Sequence, residues 1–169
     1  MRKITVVAYD ARWPEQYEAE RALLQATLGQ VIYHIHHIGS TSVPGIAAKP
    51  VIDILLEVND LDKLDRLNAA MAAIGYCARG ENGISNRRYF TKGGDQRSHQ
   101  VHAFVAGDTQ IRKHLAFRDY LITHGETAAR YAEIKRAAVR ASENDAHRYS
   151  ALKADFIEDH LRLALNTSE

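Results

Sequence analysis

The chain is 169 residues long, 46% hydrophobic and 25% charged, which fits one globular domain with a sizeable core. Lys and Arg number 22 against 21 Asp and Glu, and a formal net charge of +1 supplies no global field for nucleic acid or an anionic membrane surface, so neither is an expected partner. The apolar run near the start is too short for a signal segment and none is long enough to span a bilayer, so a cytoplasmic protein is expected; the single Cys77 excludes an internal disulfide and a multi-cysteine zinc site.

No repeat or low-complexity linker divides the sequence, so a single domain is expected, with a sheet core over about 1–107 and a helical part over about 108–169. An extended segment from Ile4 to Ala8 leads into a helix from about Pro14 to Leu28, where Pro suits the first turn and Trp13, Tyr17, Leu24 and Leu28 recur at helical spacing; Gly29 ends it. Val31 to Ile38 reads as a strand that opens onto a Gly-Ser loop. Val51 to Val58 is an apolar run broken only by Asp53 and Glu57, the pattern of a strand covered on both faces. Asn59-Asp60 then caps a helix running through Leu61, Leu64, Leu67, Met71 and Ile74 to Gly75. Cys77 reads as a small buried hydrophobe. Strands over about Ile84 to Thr91 and Gln100 to Val105 flank the turn Lys92-Gly93-Gly94-Asp95 and predict an antiparallel hairpin. Beyond Asp108-Thr109 three helices follow: one to about Thr123, one carrying Tyr131, Ile134 and Ala138, and one carrying Tyr149, Leu152, Phe156 and Leu163. The fold class is α+β, a mixed sheet with packed helices and a helical C-terminal third.

The chemistry concentrates between His37 and Ile54. Two glycines, two serines, a threonine and two prolines fix an irregular backbone after one strand, and the next strand delivers Asp53. Such a loop can aim backbone N–H groups at an anion, with the hydroxyls of Ser40, Thr41 and Ser42 as further donors. Asp53 is then placed to hold a Mg²⁺ ion that bridges phosphates. Lys49 either neutralises a phosphate or lies in solvent, and a buried acid capping loop N–H groups is the structural alternative for Asp53.

These residues, together with Tyr9-Asp10-Ala11-Arg12-Trp13-Pro14, Arg97-Ser98-His99-Gln100-Val101-His102 and His114-Leu115-Ala116-Phe117-Arg118-Asp119-Tyr120-Leu121, resemble the GrpB family nearly from end to end. That family is placed in the nucleotidyltransferase superfamily. The resemblance implies a Gly-Ser pair that binds nucleotide phosphates, matched by Gly39-Ser40. It also implies an Asp-x-Asp/Glu pair on the next strand that holds Mg²⁺, and a third carboxylate on a later strand. Asp53 falls at the first acidic position, but residue 55 is leucine, and His102 stands where the third acid is expected. Glu57 shares a face with Asp53 but lies roughly 13 Å along the strand, too far to share an ion. Histidine is a softer ligand that suits zinc or manganese better than magnesium.

On the later strands, alternation puts Arg88 and Phe90 on one face and Arg87, Tyr89 and Thr91 on the other. Arg88 and His102 are the candidates for the cleft, Arg88 as a phosphate ligand beside an aromatic surface and His102 as a metal ligand or general base. A zinc centre built on His34 and His36 lacks a second pair with matching spacing. In the helix after Asp108, His114, Phe117 and Leu121 form a stripe, and Arg118 with Asp119 reads as an anchor of this helix on the sheet. The expected activity is binding of a nucleotide or other phosphorylated small molecule through Gly39-Ser40 and Asp53, with nucleotidyl transfer dependent on Mg²⁺ or Mn²⁺. The rival expectation is a non-catalytic binding or protein-interaction module whose metal site is degenerate, for which Leu55 is the strongest sign.

Overall fold

The structure, a computed structural model, describes residues 5–141, 154 and 157–165. Strands β1 (Ile32–Ile38), β2 (Ile52–Val58), β3 (Tyr76–Ala78), β4 (Arg88–Lys92) and β5 (His99–Val105) form one mixed sheet in the order β1-β2-β5-β4-β3. Only the central pair, β2 and β5, is parallel. Helices α1 (Trp13–Leu28), α2 (Leu61–Asp65) and α3 (Asn68–Ala73) precede β3, and α4 (Thr109–Thr123), α5 (Gly125–Ala141) and α6 (157–165) follow β5. This is the expected α+β class with the expected β4–β5 hairpin.

The sheet is covered on both faces. On one, Trp13, Tyr17, Leu24 and Leu28 of α1 meet Ile52, Ile54, Leu56, Val58, Val101, Ala103 and Phe90, with Leu64 of α2 and Met71 of α3 completing the layer. On the other, Ile38, Leu55 and Phe104 pack against Ile111 of α4. β2 therefore reads as a continuous apolar run because both of its faces are buried. A third cluster joins Val43, Ile46 and Ala47 of the loop before β2 to Leu121 of α4 and to Ala128, Tyr131 and Ala132 of α5, which seats the helical part on that loop. Asp108 caps α4 by accepting from the Gln110 N–H at 2.8 Å.

The structure corrects several expectations. The strand expected from Ile84 begins at Arg88, because residues 84–87 form a turn in which the Arg87 N–H bonds to the Ile84 carbonyl and Asn86 takes a positive φ. The helix expected over Leu61 to Ile74 is two short helices, parted where the Leu67 N–H bonds back to the Leu64 carbonyl in a tight i to i−3 turn. Tyr76–Ala78 adds an outer strand that was not expected, and Cys77 on it is exposed rather than buried because β3 is the sheet's edge. The extended segment near the start pairs with the loop before β2 through reciprocal Val7 and Ala48 hydrogen bonds of 2.9 Å. Ile4, Tyr149, Leu152 and Phe156 lie outside the described residues. Among the described residues no helix is long and apolar enough to cross a membrane.

Candidate functional site

β1 ends at Ile38 and β2 carries Asp53 opposite it, so the connecting loop folds back over that carboxylate. Gly39 makes the approach possible. Its backbone takes φ 73° and ψ −176°, and a Cβ there would sit 2.6 Å from Asp53 Oδ2. Beyond it Ser40–Ser42 forms one 3₁₀ turn. The Ser42 and Val43 N–H groups bond to the Gly39 and Ser40 carbonyls, and the Ser42 hydroxyl donates to the Gly39 carbonyl at 2.5 Å. Those donors serve the turn, so the expected convergence of loop N–H groups and three hydroxyls on one anion is corrected: Ser40 and Thr41 reach the adjoining cavity, and Ser42 does not.

That cavity, about 280 Å³, opens between the loop, the β2–β5 pair and helices α4 and α5. Gly39, Ser40, Thr41, Lys49, Asp53 and His102 line it together with His114, Arg118, Tyr131 and Lys135, against apolar walls from Ile38, Val51, Phe117 and Leu121. The His114, Phe117, Leu121 stripe thus faces the cavity. Lys49, half-buried, is among the residues that line this cavity. Three cationic side chains, from Lys49, Arg118 and Lys135, stand against the single carboxylate of Asp53.

Lys135 and Tyr131 line the cavity although sequence reasoning did not place them there. Lys135 is 1% exposed, its ammonium donates to the Ala47 carbonyl at 3.1 Å, and it lies 4.8 Å from the centre of the Tyr131 ring. Tyr131 hydrogen-bonds with Ser40, and burial, with a contribution from the Asp53 charge, pushes its hydroxyl up to about 12. A signal was present: with Tyr131 and Ala138 already on an apolar stripe, position 135 falls at i+4 from one and i−3 from the other. A lysine at that position puts a charge into an otherwise apolar stripe, the pattern that could have drawn attention to it.

At the floor, Asp53 Oδ1 lies 3.3 Å from His102 Nε2. It also accepts from the Gln100 amide at 2.8 Å, when that amide is oriented so that its oxygen faces Tyr89 and Arg97. The other ring nitrogen, His102 Nδ1, faces the Arg87 guanidinium at 3.3 Å. Both nitrogens of His102 are thus engaged within the protein, which leaves it poorly placed as the general base of the sequence reading. Arg88 is corrected outright. The β4–β5 register sets Tyr89 against His102 and Arg88 against Ala103, so Arg88 points to the opposite face and pairs with Asp65 of α2 at 2.8 Å.

Half-buried imidazoles complete the surroundings. His114 is pushed down to about 4, chiefly by burial and further by its neighbour His102. His37, stacked on Tyr17 and bonded through Nε2 to the Thr41 hydroxyl at 2.9 Å, is likewise held near 4 by burial. Arg118 donates to the His37 carbonyl at 3.1 Å, the anchoring role expected of it. Glu57 faces His36 at 2.5 Å, on the same strand face as Asp53 but outside the cavity.

Position 55 is a fully buried leucine among Ile38, Phe104 and Ile111, and among the described residues no group of three or more His, Cys, Asp or Glu side chains is placed to hold an ion. Mg²⁺ requires near-octahedral oxygen ligation, whereas the protein presents one carboxylate already engaged by His102 and Gln100. The residues do not fit a Mg²⁺ or Mn²⁺ centre of their own.

Residues 3–163 match the family model described as GrpB protein. The UPF0157 protein YqkA of Bacillus subtilis is 41% identical over 157 residues, covering 93% of this chain and 46% of that protein, so the chain spans about half of that relative's length. Among solved structures, GrpB from Enterococcus faecalis superposes with a TM-score of 0.93 at 39% identity, covering 97% of this chain and 99% of that one. A cytoplasmic RNA terminal U-transferase superposes with a TM-score of 0.58 at 13% identity, covering 89% of this chain and 47% of that one. The second likeness shows a nucleotidyltransferase-like fold.

Proposed function

Because the chain belongs to the GrpB family, with a nucleotidyltransferase-like fold, we propose that it binds a phosphorylated small molecule, or the phosphate-bearing part of a nucleotide, in the cavity beside Ser40. The observation that carries this reading is the buried Lys135 ammonium, set with the Ser40 and Tyr131 hydroxyls and with Lys49 and Arg118 around one cavity. An ammonium ion held out of water is stabilised by an anion, and a phosphate monoester brings the charge and acceptor oxygens that three cations and several hydroxyls complement. At about 280 Å³ the cavity is near the lower end of ligand sites, roughly 300–1,000 Å³, which favours a small ligand or the polar end of a larger one.

Metal-dependent nucleotidyl transfer is the second reading, favoured by the place of Asp53 next to Gly39 on this fold. The leucine at position 55 and the engaged His102 weigh against it. Thermal unfolding against nucleotides and small phosphorylated metabolites, with and without Mg²⁺ or Mn²⁺, separates the two. A ligand at ~100 times its dissociation constant adds about 2.7 kcal/mol of stability. Stabilisation without a divalent ion, lost in Ser40→Ala, is the expected result. Stabilisation that requires the ion and disappears in Asp53→Ala would instead support transfer chemistry, and no shift with any phosphorylated compound would contradict the proposal.

A further inference from the structure

Arg87 sits where a cation is hard to keep. It is 7% exposed, and burial lowers its guanidinium from the ordinary value. Its hydrogen-bond partners are the Glu81 carbonyl (3.1 Å), the Asn82 carbonyl (2.9 Å) and His102 Nδ1 (3.3 Å), and it lies 4.6 Å over the Tyr89 ring. Two of these belong to the loop between β3 and β4, where Asn82 and Asn86 hold left-handed backbone. The third belongs to the cavity floor.

A guanidinium can only donate. Nδ1 of His102 must therefore accept, the ring proton lies on Nε2, and that proton points at Asp53 Oδ1. We infer that Arg87 is a positioning residue: it fixes the tautomer and orientation of His102, through it the Asp53 carboxylate, and so ties the loop from 79 to 87 to the floor of the cavity. In this arrangement His102 offers no free lone pair to a metal or to a ligand proton unless Arg87 is displaced. Gln100 donates to the same Asp53 oxygen, so Oδ1 is held from two sides while Oδ2 rests against Gly39. The effect on ligand binding rests on the phosphate-site reading; the tautomer does not.

The test is nitrogen NMR of the protein labelled at histidine, without ligand and in mildly alkaline buffer. In the wild type, His102 is expected to show a protonated Nε2 and a bare Nδ1. Arg87→Leu should release a mixture of tautomers and weaken binding of inorganic phosphate about tenfold, the equivalent of one charge-assisted hydrogen bond. Arg87→Gln, which retains an N–H donor, should keep the wild-type tautomer, and if the leucine variant fails to fold the wild-type spectrum itself decides the assignment. A merely structural Arg87 would lower the unfolding temperature and leave the His102 spectrum unchanged. That outcome, or a protonated Nδ1 in the wild type, overturns the assignment while leaving the phosphate reading standing. The expected tautomers with no phosphorylated ligand bound would overturn the phosphate reading alone.

Discussion

At the scale of single residues, the site depends on one position that must be glycine and one that must be apolar. Gly39 combines a left-handed φ with ψ near 180°, a region essentially reserved for glycine, and a Cβ there would meet Asp53 Oδ2. Gly39→Ala should therefore cost about 1–3 kcal/mol in urea denaturation, and wild-type stability in this variant would refute the close approach. Leu55 is fully buried, so restoring the acid expected of a transferase by Leu55→Asp buries an unpaired charge. A loss of about 4 kcal/mol or more, or failure to fold, is expected, whereas a stable variant with new Mg²⁺ affinity by calorimetry would reopen the metal reading. Asp53, Ser40 and the unusual Leu55 were all legible in the sequence because they sit in one short segment. Arg87 and Lys135 were not read, because their roles depend on register and helix packing that bring distant segments together. Alternation did separate Arg87 from Arg88, but only the pairing of Tyr89 with His102 decided which of them faces the site.

At the scale of elements, α1 is joined to the far edge of the sheet by a polar network within its buried stripe. Glu20 accepts from the Tyr76 hydroxyl and from the Lys92 ammonium, both at 2.7 Å, with His99 at 3.7 Å from its other oxygen. The sequence pattern found the stripe through Trp13, Tyr17, Leu24 and Leu28; Glu20 lies in the same stripe and escaped notice because it is charged. Burial alone would push the Glu20 carboxyl up, but the bonds from Lys92 and Tyr76 outweigh it and hold the group below its ordinary value. A group with a lowered folded value adds stability above its unfolded value, and loses that contribution as pH falls through the folded one. Glu20→Ala should thus cost about 2–3 kcal/mol at neutral pH by leaving a partly buried ammonium and a buried hydroxyl without their acceptor. The deficit should shrink in strong acid, and a constant difference across the pH range would contradict this role. The boundary of β4 and the break between α2 and α3 were less legible. The first is set by asparagines in left-handed backbone, and the second falls where there is neither Gly nor Pro to mark it.

At the scale of the whole molecule, the cavity exists only because the helical part docks on the loop before β2, and two half-buried imidazoles lie within that junction. His37 faces Asp53 and Arg118, His114 faces His102, Asp53 and Arg87, and each is held near 4 in the fold. Between about pH 6.5 and 4 the unfolded chain binds protons that the folded one refuses, so stability falls on acidification by an amount on the order of 3 kcal/mol per imidazole. His114→Phe should flatten the profile measured by urea denaturation, and an unchanged slope would show that His114 is not kept neutral by burial. The fold class and the hairpin could be anticipated from local patterns, while the cavity could not, since its lining comes from well-separated stretches of chain, from Ile38 to Ile157. The most direct measurement is calorimetric titration of the wild type and of Lys135→Met, in chelator, with the phosphorylated compound that most raises the unfolding temperature. Binding at one site per chain in the wild type, weakened at least about tenfold in a Lys135→Met variant that remains folded, corresponding to about 1.4 kcal/mol, is the expected result. Equal affinity in the two proteins, or no binding until a divalent ion is added, would contradict a phosphate site built on the buried lysine.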